Sequence, residues 1–272
     1  MYNGGYLKKS KLGSYVLLSL SLIVLNGYGD SLSAVKNEKF VSNQGILNGR
    51  HVREDEGQLF GGVLGLIIDD EGLCTGVHIG GGRILTAYHC VARPQKPRYG
   101  IVAPSTGKIY DIGTAYTVTA PDPAGFMQVG ETQQPQPDLA LIKTTGKAAQ
   151  VISSLPVVKL GKTLSIDEDK AYISGYGRQD FTEQAKVGEL KVGKAYIDKV
   201  TEMFYILKFN TALGFSAGLP GDSGGPLLRL ENGKITVYGI ASILSANSAG
   251  TSGGNLYVRI DQPRVTEWLS RQ

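Results

Sequence analysis

A serine flanked by glycines and preceded by an acid stands at Gly221-Asp222-Ser223-Gly224-Gly225-Pro226. A serine hydroxyl attacks a carbonyl only when a base takes its proton and donors stabilise the oxyanion that forms. Glycines around it let the backbone turn sharply, uncover the hydroxyl and bring amide N–H groups close to a substrate. Without context the same residues make a Gly-Ser turn between strands, so the nucleophile reading requires a base and an orienting acid elsewhere. Histidine shuttles protons best near neutral pH, and His89 closes the run Leu85-Thr86-Ala87-Tyr88-His89-Cys90. His51 and His78 lack such surroundings and read as ordinary surface or strand residues. An acid, Asp138, opens Asp138-Leu139-Ala140-Leu141-Ile142-Lys143; the bland alternative is a cap on an exposed strand end.

The elements that must position these groups read as strands. Hydrophobic residues make up 42% of the 272 and charged ones 19%, as in an ordinary globular protein long enough to bury a sizeable core. Glycine reaches 37 residues, well above the usual share of roughly 7%, and punctuates short runs rich in Val, Ile, Leu and Tyr. That pattern favours an all-β chain with many turns. Runs at Val63–Ile68, Leu73–Ile79 and Arg83–Ala87 precede His89. Others lie at Pro156–Leu160, Ala171–Gly177, Val187–Ile197, Met203–Phe209, Pro226–Leu230, Ile235–Leu244 and Asn255–Ile260. Long loops are expected at 93–98 and at 120–137. Val265, Trp268 and Leu269, spaced for one helix face after Pro263, predict a C-terminal helix at about 262–271.

The formal charge of +4 does not imply nucleic-acid binding. Residues 1 to 45 hold five lysines (Lys8, Lys9, Lys11, Lys36, Lys39) against Asp30 and Glu38, and the remainder is nearly neutral. Three of those lysines precede an apolar run from Leu12 to Leu25, with small residues after it, the pattern of a secretory signal ending near residue 34. The run is shorter than the roughly 20 residues that span a bilayer, so no stable membrane association is expected once it is removed. Residues 35–45 read as a short pro-segment. The two cysteines, Cys74 and Cys90, are most simply one disulfide in an exported protein, stabilising by about 3 kcal/mol in the chain-entropy model.

These motifs resemble those of the chymotrypsin-like (trypsin-fold) secreted serine proteases. The glycine-flanked serine is similar to the family's nucleophile loop. The histidine run is similar to Leu-Thr-Ala-Ala-His-Cys with Tyr88 for the second alanine, and the acidic run to Asp-Ile-Ala-Leu. Ile173-Ser174-Gly175-Tyr176-Gly177 resembles a Ser-Gly-Trp-Gly element with Tyr for Trp. The chain order His89, Asp138, Ser223 is the family's, which is also the standard worked example of such a triad.

The resemblance implies two six-stranded antiparallel β-barrels, at about 46–150 and 151–260, followed by the helix. It implies a monomeric serine endopeptidase acting on protein or peptide substrates without cofactor or metal. His89 would serve as base, Asp138 as its orienting acid, Ser223 as nucleophile, and the N–H groups of Gly221 and Ser223 as the oxyanion hole. Ile46-Leu47-Asn48-Gly49 resembles the start of a mature chain whose freed amino group pairs with Asp222, although Gln44-Gly45 is not the usual Arg or Lys before it. The resemblance implies the same Cys74–Cys90 pairing, and the absence of the further disulfides of animal relatives suits a bacterial-type member.

For substrate binding it points to Ala217, six residues before Ser223, as the pocket floor. Ser242 falls on the strand that pairs with substrate backbone, Leu244 where glycine usually opens the pocket, and Asn255 on the opposite wall. Small or medium apolar side chains are expected there rather than Lys or Arg. A binding protein or adhesin on the same fold, and an esterase using the same triad, are the readings from other classes.

Overall fold

The computed structural model describes residues 34–36, 46–70, 72–121, 126–129, 132–135, 137–165, 171–178, 188–246 and 251–272. The apolar run Leu12–Leu25 and nearly all of the expected signal and pro-segment lie outside them.

The chain is almost entirely β. Its first half holds β1 (Ala34–Lys36), β2 (Arg50–His51), β3 (Val63–Ile68), β4 (Gly72–His78), β5 (Arg83–Thr86), β6 (Tyr99–Ala103), β7 (Lys108–Gly113) and β8 (Tyr116–Thr119). A small hairpin, β9 (Phe126–Val129) and β10 (Thr132–Pro135), occupies the span expected to be a loop, and β11 (Ala140–Thr144) follows Asp138. Next come helix α1 (Gly146–Ser153), β12 (Lys159–Leu160), β13 (Tyr172–Gly175), β14 (Lys191–Lys194), β15 (Ile197–Val200) and β16 (Phe204–Asn210). The chain continues with β17 (Pro226–Glu231), β18 (Lys234–Ala246), β19 (Ser252–Arg259) and helix α2 (Pro263–Ser270).

Two curled antiparallel sheets result. The first orders as β1-β7-β6-β3-β4-β5-β11-β8, the second as β15-β16-β19-β18-β17-β13-β14-β2, with β12 lying parallel beside β18. The expected two-sheet architecture with its C-terminal helix is therefore the one the chain adopts. The first sheet holds eight strands and the second nine; β1 adds to the edge at β7, and β2 reaches from the first half of the chain onto β14.

Local chemistry accounts for most of these elements. Strand β3, Val-Leu-Gly-Leu-Ile-Ile, is buried on both faces, so it reads as a continuous apolar run rather than an alternation. Its hairpin to β4 turns at Asp69 and Asp70, both at positive φ (50° and 61°). Asn232 and Gly233 (50° and 72°) turn β17 into β18 in the same way, the residue pair best suited to tight hairpins with the native strand twist. Helix α2 begins with Pro263, whose missing N–H costs nothing at that position, and buries Val265 and Trp268. Helix α1 was not expected. It buries only Ala148 and Ile152, too little to stand out in sequence.

Three apolar clusters fill the molecule. One, with Leu64, Leu66, Ile84, Ile101 and Ile142, lies within the first sheet. Another, with Ile173, Tyr205, Leu207, Leu227 and Tyr257, lies within the second. The third joins residues of both sheets, among them Val63, Leu85, Leu139, Tyr176, Leu228 and Ile240, and takes in Trp268 of α2.

Gly224 occupies the tightest point of that junction. Its φ is +83°, and a Cβ there would lie 2.1 Å from the Thr75 carbonyl oxygen and 2.1 Å from Thr86 Oγ1, both in the first sheet. Gly224→Ala is expected to destabilise the fold by about 2–5 kcal/mol, combining left-handed strain with overpacking. Denaturant unfolding of the purified variant checks this, and a change below about 1 kcal/mol would show that the two sheets yield easily at the contact.

Candidate active site

Strand β5 ends at Thr86, and Tyr88–Cys90 turn in a single 3-10 turn closed by Cys90 N–H to the Ala87 carbonyl (3.1 Å) and Val91 N–H to Tyr88 (2.9 Å). The Cys74–Cys90 disulfide ties this turn to β4, and Tyr99 Oη donates to the Cys90 carbonyl at 2.9 Å. His89 is thus held on a short, pinned turn with its side chain 31% exposed. A ligating nitrogen of His89 and both sulfurs lie within 4.8 Å of one another, but a disulfide offers no thiolate to a metal.

Asp138 directly precedes the buried start of β11 and is 1% exposed. Its Oδ1 accepts the His89 backbone N–H at 3.0 Å, and its Oδ2 lies 2.8 Å from His89 Nδ1. A carboxylate can only accept, so the Nδ1 proton belongs on the histidine and Nε2 is left as the acceptor. Oδ2 also accepts the Ser242 hydroxyl at 2.7 Å. Three donors therefore compensate a carboxylate that burial would otherwise make costly.

The Ser242 side chain thereby joins the His89–Asp138 pair, a contact that the sequence did not indicate. Ser242 sits at a register shift of β18, between the pairs Ala241–Tyr257 and Ile243–Leu256. At this bulge its hydroxyl reaches Asp138.

Ser223 reaches the same region from the second sheet. Its carbonyl accepts the Thr75 N–H at 2.8 Å, while Gly224 N–H bonds to Ala241 at 2.8 Å and Gly225 N–H to Asp222 at 2.8 Å. Thr75, which sequence reasoning missed, is fully buried. Its hydroxyl donates to the Gly221 carbonyl at 3.0 Å and accepts the Tyr176 N–H at 3.1 Å. Gly221 has a φ of +100°. Among the described residues neither its N–H nor that of Ser223 has a hydrogen-bond acceptor. The half-buried Ser223 hydroxyl forms no hydrogen bond with another described residue, His89 included; such bonds commonly tighten only when substrate binds.

Asp222 points the other way, into the second sheet. It is 1% exposed, and its carboxylate accepts the N–H groups of Leu219 (2.7 Å) and Gly177 (2.8 Å). No cation pairs with it among the described residues, and burial pushes it up to about 7 in spite of those two donors. Gly175 and Gly177 leave it room: a Cβ on either would lie within 2.1 and 2.7 Å, respectively, of its carboxylate.

Ile46 is 1% exposed at a φ of 38°. The next residue, Leu47, exchanges both backbone hydrogen bonds with Ala217 (2.9 and 3.2 Å). That exchange places the segment after Ile46 directly against the expected pocket floor. Ala217 is fully buried. Asn255 lies opposite Leu244 across β18 and β19 and is 1% exposed. Its Oδ1 accepts the Gly218 N–H at 3.1 Å, and Leu244 Cδ2 comes within 3.1 Å of where a Gly218 Cβ would be. His51 pairs with Glu189 at 3.0 Å and His78 is a core residue bonded to the Pro156 carbonyl at 3.0 Å. Neither approaches the site by any described contact.

Two curled antiparallel sheets with a histidine–aspartate pair from one and a glycine-held serine from the other are the architecture of a serine protease. A family model described as Trypsin matches residues 54–269, and the chain belongs to the trypsin-like serine protease family. Among curated proteins it is similar to complement factor I of Rattus norvegicus, at 30% identity over 211 residues, covering 72% of this chain and 34% of that protein. The chain thus spans about a third of that relative's length.

Thr75 gives this geometry a direct test. Thr75→Val keeps the shape and removes the hydroxyl, leaving the Gly221 carbonyl and the Tyr176 N–H without their partner in a buried place. The expected loss is about 1–3 kcal/mol of stability, read by denaturant unfolding. A neutral result would mean that water or a local shift replaces the hydroxyl.

Proposed function

We propose that this chain is a secreted serine endopeptidase that cleaves peptide bonds through an acyl-enzyme. The observation that carries the reading is the buried Asp138 carboxylate, bonded twice to His89 and once to Ser242. It stands beside a serine loop clamped to the same strand that bears the Cys74–Cys90 tie. Ser223 Oγ attacks the scissile carbonyl and passes its proton to His89 Nε2. His89 returns that proton to the leaving amine, and water then repeats the sequence to release the acyl group. Asp138 holds the imidazole in the tautomer that accepts at Nε2 and stabilises the imidazolium. The unengaged N–H groups of Gly221 and Ser223 receive the oxyanion. None of these steps calls for a metal or cofactor.

We further infer that a leader ending near residue 34 exports the chain and that residues 35–45 form a short pro-segment. Cleavage before Ile46 would create an ammonium for Asp222. In this reading the mature domain, 46–272, works as a monomer on proteins or peptides.

Labelling with a fluorophosphonate, followed by peptide mapping, tests the chemistry. An adduct is expected at Ser223, and Ser223→Ala should lower kcat by several orders of magnitude. No adduct would leave a binding protein on a protease fold as the better reading. An adduct with ester turnover but no peptide cleavage would favour an esterase.

The pocket reading also leads to a substrate preference. A Lys or Arg side chain must shed hydration on entering, and only a charge or several acceptors compensate that loss. Ala217 offers neither, and the Asn255 oxygen is already engaged by Gly218. Leu244 takes volume that a long or aromatic side chain would need. Cleavage of a peptide library is expected after Ala, Val or Leu, and preferential cleavage after Lys or Arg would overturn this assignment of the pocket floor.

A further inference from the structure

In the reading above, strand β1 belongs to a part of the chain that the mature domain lacks. It pairs antiparallel with β7, Ala34 opposite Tyr110, Val35 opposite Ile109 and Lys36 opposite Lys108, and all three residues precede Ile46. Leader removal near residue 34 shortens it, and cleavage before Ile46 separates the rest from the domain. The chain has two cysteines, joined to each other, so no disulfide retains the released segment. Three paired residues do not offset the translational and rotational freedom that a separate peptide regains. After maturation the first sheet therefore ends at β7, whose other neighbour is β6, with a row of backbone N–H and C=O groups bare.

The two ends of that edge differ. Near Asp111 the ladder to β6 is irregular, with Tyr99 opposite Gly113 and Gly100 opposite Asp111. The Asp111 carboxylate accepts the Gly113 N–H at 2.8 Å and Arg98 Nη2 at 3.1 Å, and the Ile112 carbonyl accepts the Ala115 N–H at 2.9 Å. Bulges and charges are the means by which sheets close an edge to other chains. Lys108–Tyr110, by contrast, keep a regular register with Ala103–Ile101, and this is the stretch that β1 covers. Register also shows what would suit the place better than β1. A valine opposite Ile109 is a favourable pairing, but a lysine opposite Lys108 sets like charge against like charge. An acid at that position would make an opposite-charge pair instead.

The edge lies within reach of the site. Strands β6 and β3 separate β7 from β4, whose Thr75 N–H bonds to the Ser223 carbonyl. A strand added outside β7 is four spacings from β4, about 19 Å along the sheet, a span that about six extended residues cover.

We propose that maturation uncovers the Lys108–Tyr110 edge as a second docking site, where a flanking stretch of the protein substrate adds as an antiparallel strand, with a β-branched residue opposite Ile109 and an acid opposite Lys108. The proposal rests on the protease reading above. Backbone pairing supplies the binding and the opposed side chains the selectivity. Pairing too weak to hold a free peptide still counts when the site tethers the substrate, because the effective concentration is then about millimolar.

The test uses the full chain with a specific processing-protease sequence in place of residues 41–45, either uncut or cut so that Ile46 is first. On cutting, hydrogen exchange of at least one amide within 108–110 is expected to quicken by about tenfold or more. A peptide that the cut form cleaves is then extended, at either end, through a flexible linker of about ten residues. The extensions are Ala-Val-Glu, Ala-Val-Lys, and Ala-Val-Glu with both Ala and Val N-methylated. At one end Ala-Val-Glu should lower KM by about threefold or more with kcat unchanged. Ala-Val-Lys should gain less. The N-methylated extension should gain nothing, since it keeps the side chains but cannot donate from those two residues. A KM indifferent to Ala-Val-Glu, an equal gain from the N-methylated form, or exchange unchanged on cutting would overturn the proposal, and equal gains from Glu and Lys would overturn the acid preference. Exchange that slows again with concentration as the mass doubles would assign the edge to a second copy and not to substrate. If the cut form cleaves no peptide and Ser223 takes no fluorophosphonate, the protease reading itself is wrong and substrate docking goes with it, while the exchange data still report whether the edge is uncovered.

Discussion

The site depends on one residue that bridges two sheets. Thr75 lies in β4, deep in the first sheet, yet its N–H and its hydroxyl are both spent on the Gly221–Ser223 loop of the second. Its hydroxyl also accepts the Tyr176 N–H, and its carbonyl accepts the Thr86 hydroxyl at 2.7 Å. Thr75, Thr86 and Tyr176 are buried, so breaking a bond leaves polar atoms there with neither protein nor water to satisfy them. The sheets therefore cannot slide without losing several bonds together. Gly224 follows from this close approach, because the backbone of β4 already occupies the place of its side chain. The histidine and the serine come from different sheets, and this seam is what makes their relative position reproducible.

Two buried acids show how differently a fold can treat a carboxylate. Asp138 accepts from a backbone N–H, an imidazole and a hydroxyl. That environment makes the acid a fixed acceptor for both N–H groups of His89. Asp222 accepts only from two backbone N–H groups, and these do not replace the water it has lost, so its carboxyl rises to about 7. It directly precedes Ser223 and bonds to the Leu219 N–H, so the shape of the loop is coupled to the charge state of this carboxyl. The glycines at 175 and 177 leave the space that this carboxyl occupies.

At the expected pocket, Leu47 takes both backbone bonds of Ala217, Asn255 is tied to Gly218, and Leu244 lies directly across from Asn255. The Ala217 backbone and the Asn255 carbonyl oxygen are thus engaged within the protein.

Much of this was legible in the sequence because it is local. The runs around His89, Asp138 and Ser223 and the Pro263 start of α2 rest on turn chemistry and side-chain period, which act over a few residues. Helix α1 and the β9–β10 hairpin were not legible. The first buries two side chains, and the second interrupts a stretch whose proline and glycine content reads as loop. What only the tertiary structure decided is which distant polar groups meet. A threonine or serine inside an apolar strand carries no mark of its partner, as with Ser242, whose hydroxyl meets Asp138, 104 residues away. Nothing in the sequence marks Lys191 for burial, and it is fully buried opposite Gly175 only through the register of β13 and β14. Register is set by the packing of both sheets at once, and no short stretch of the chain contains it.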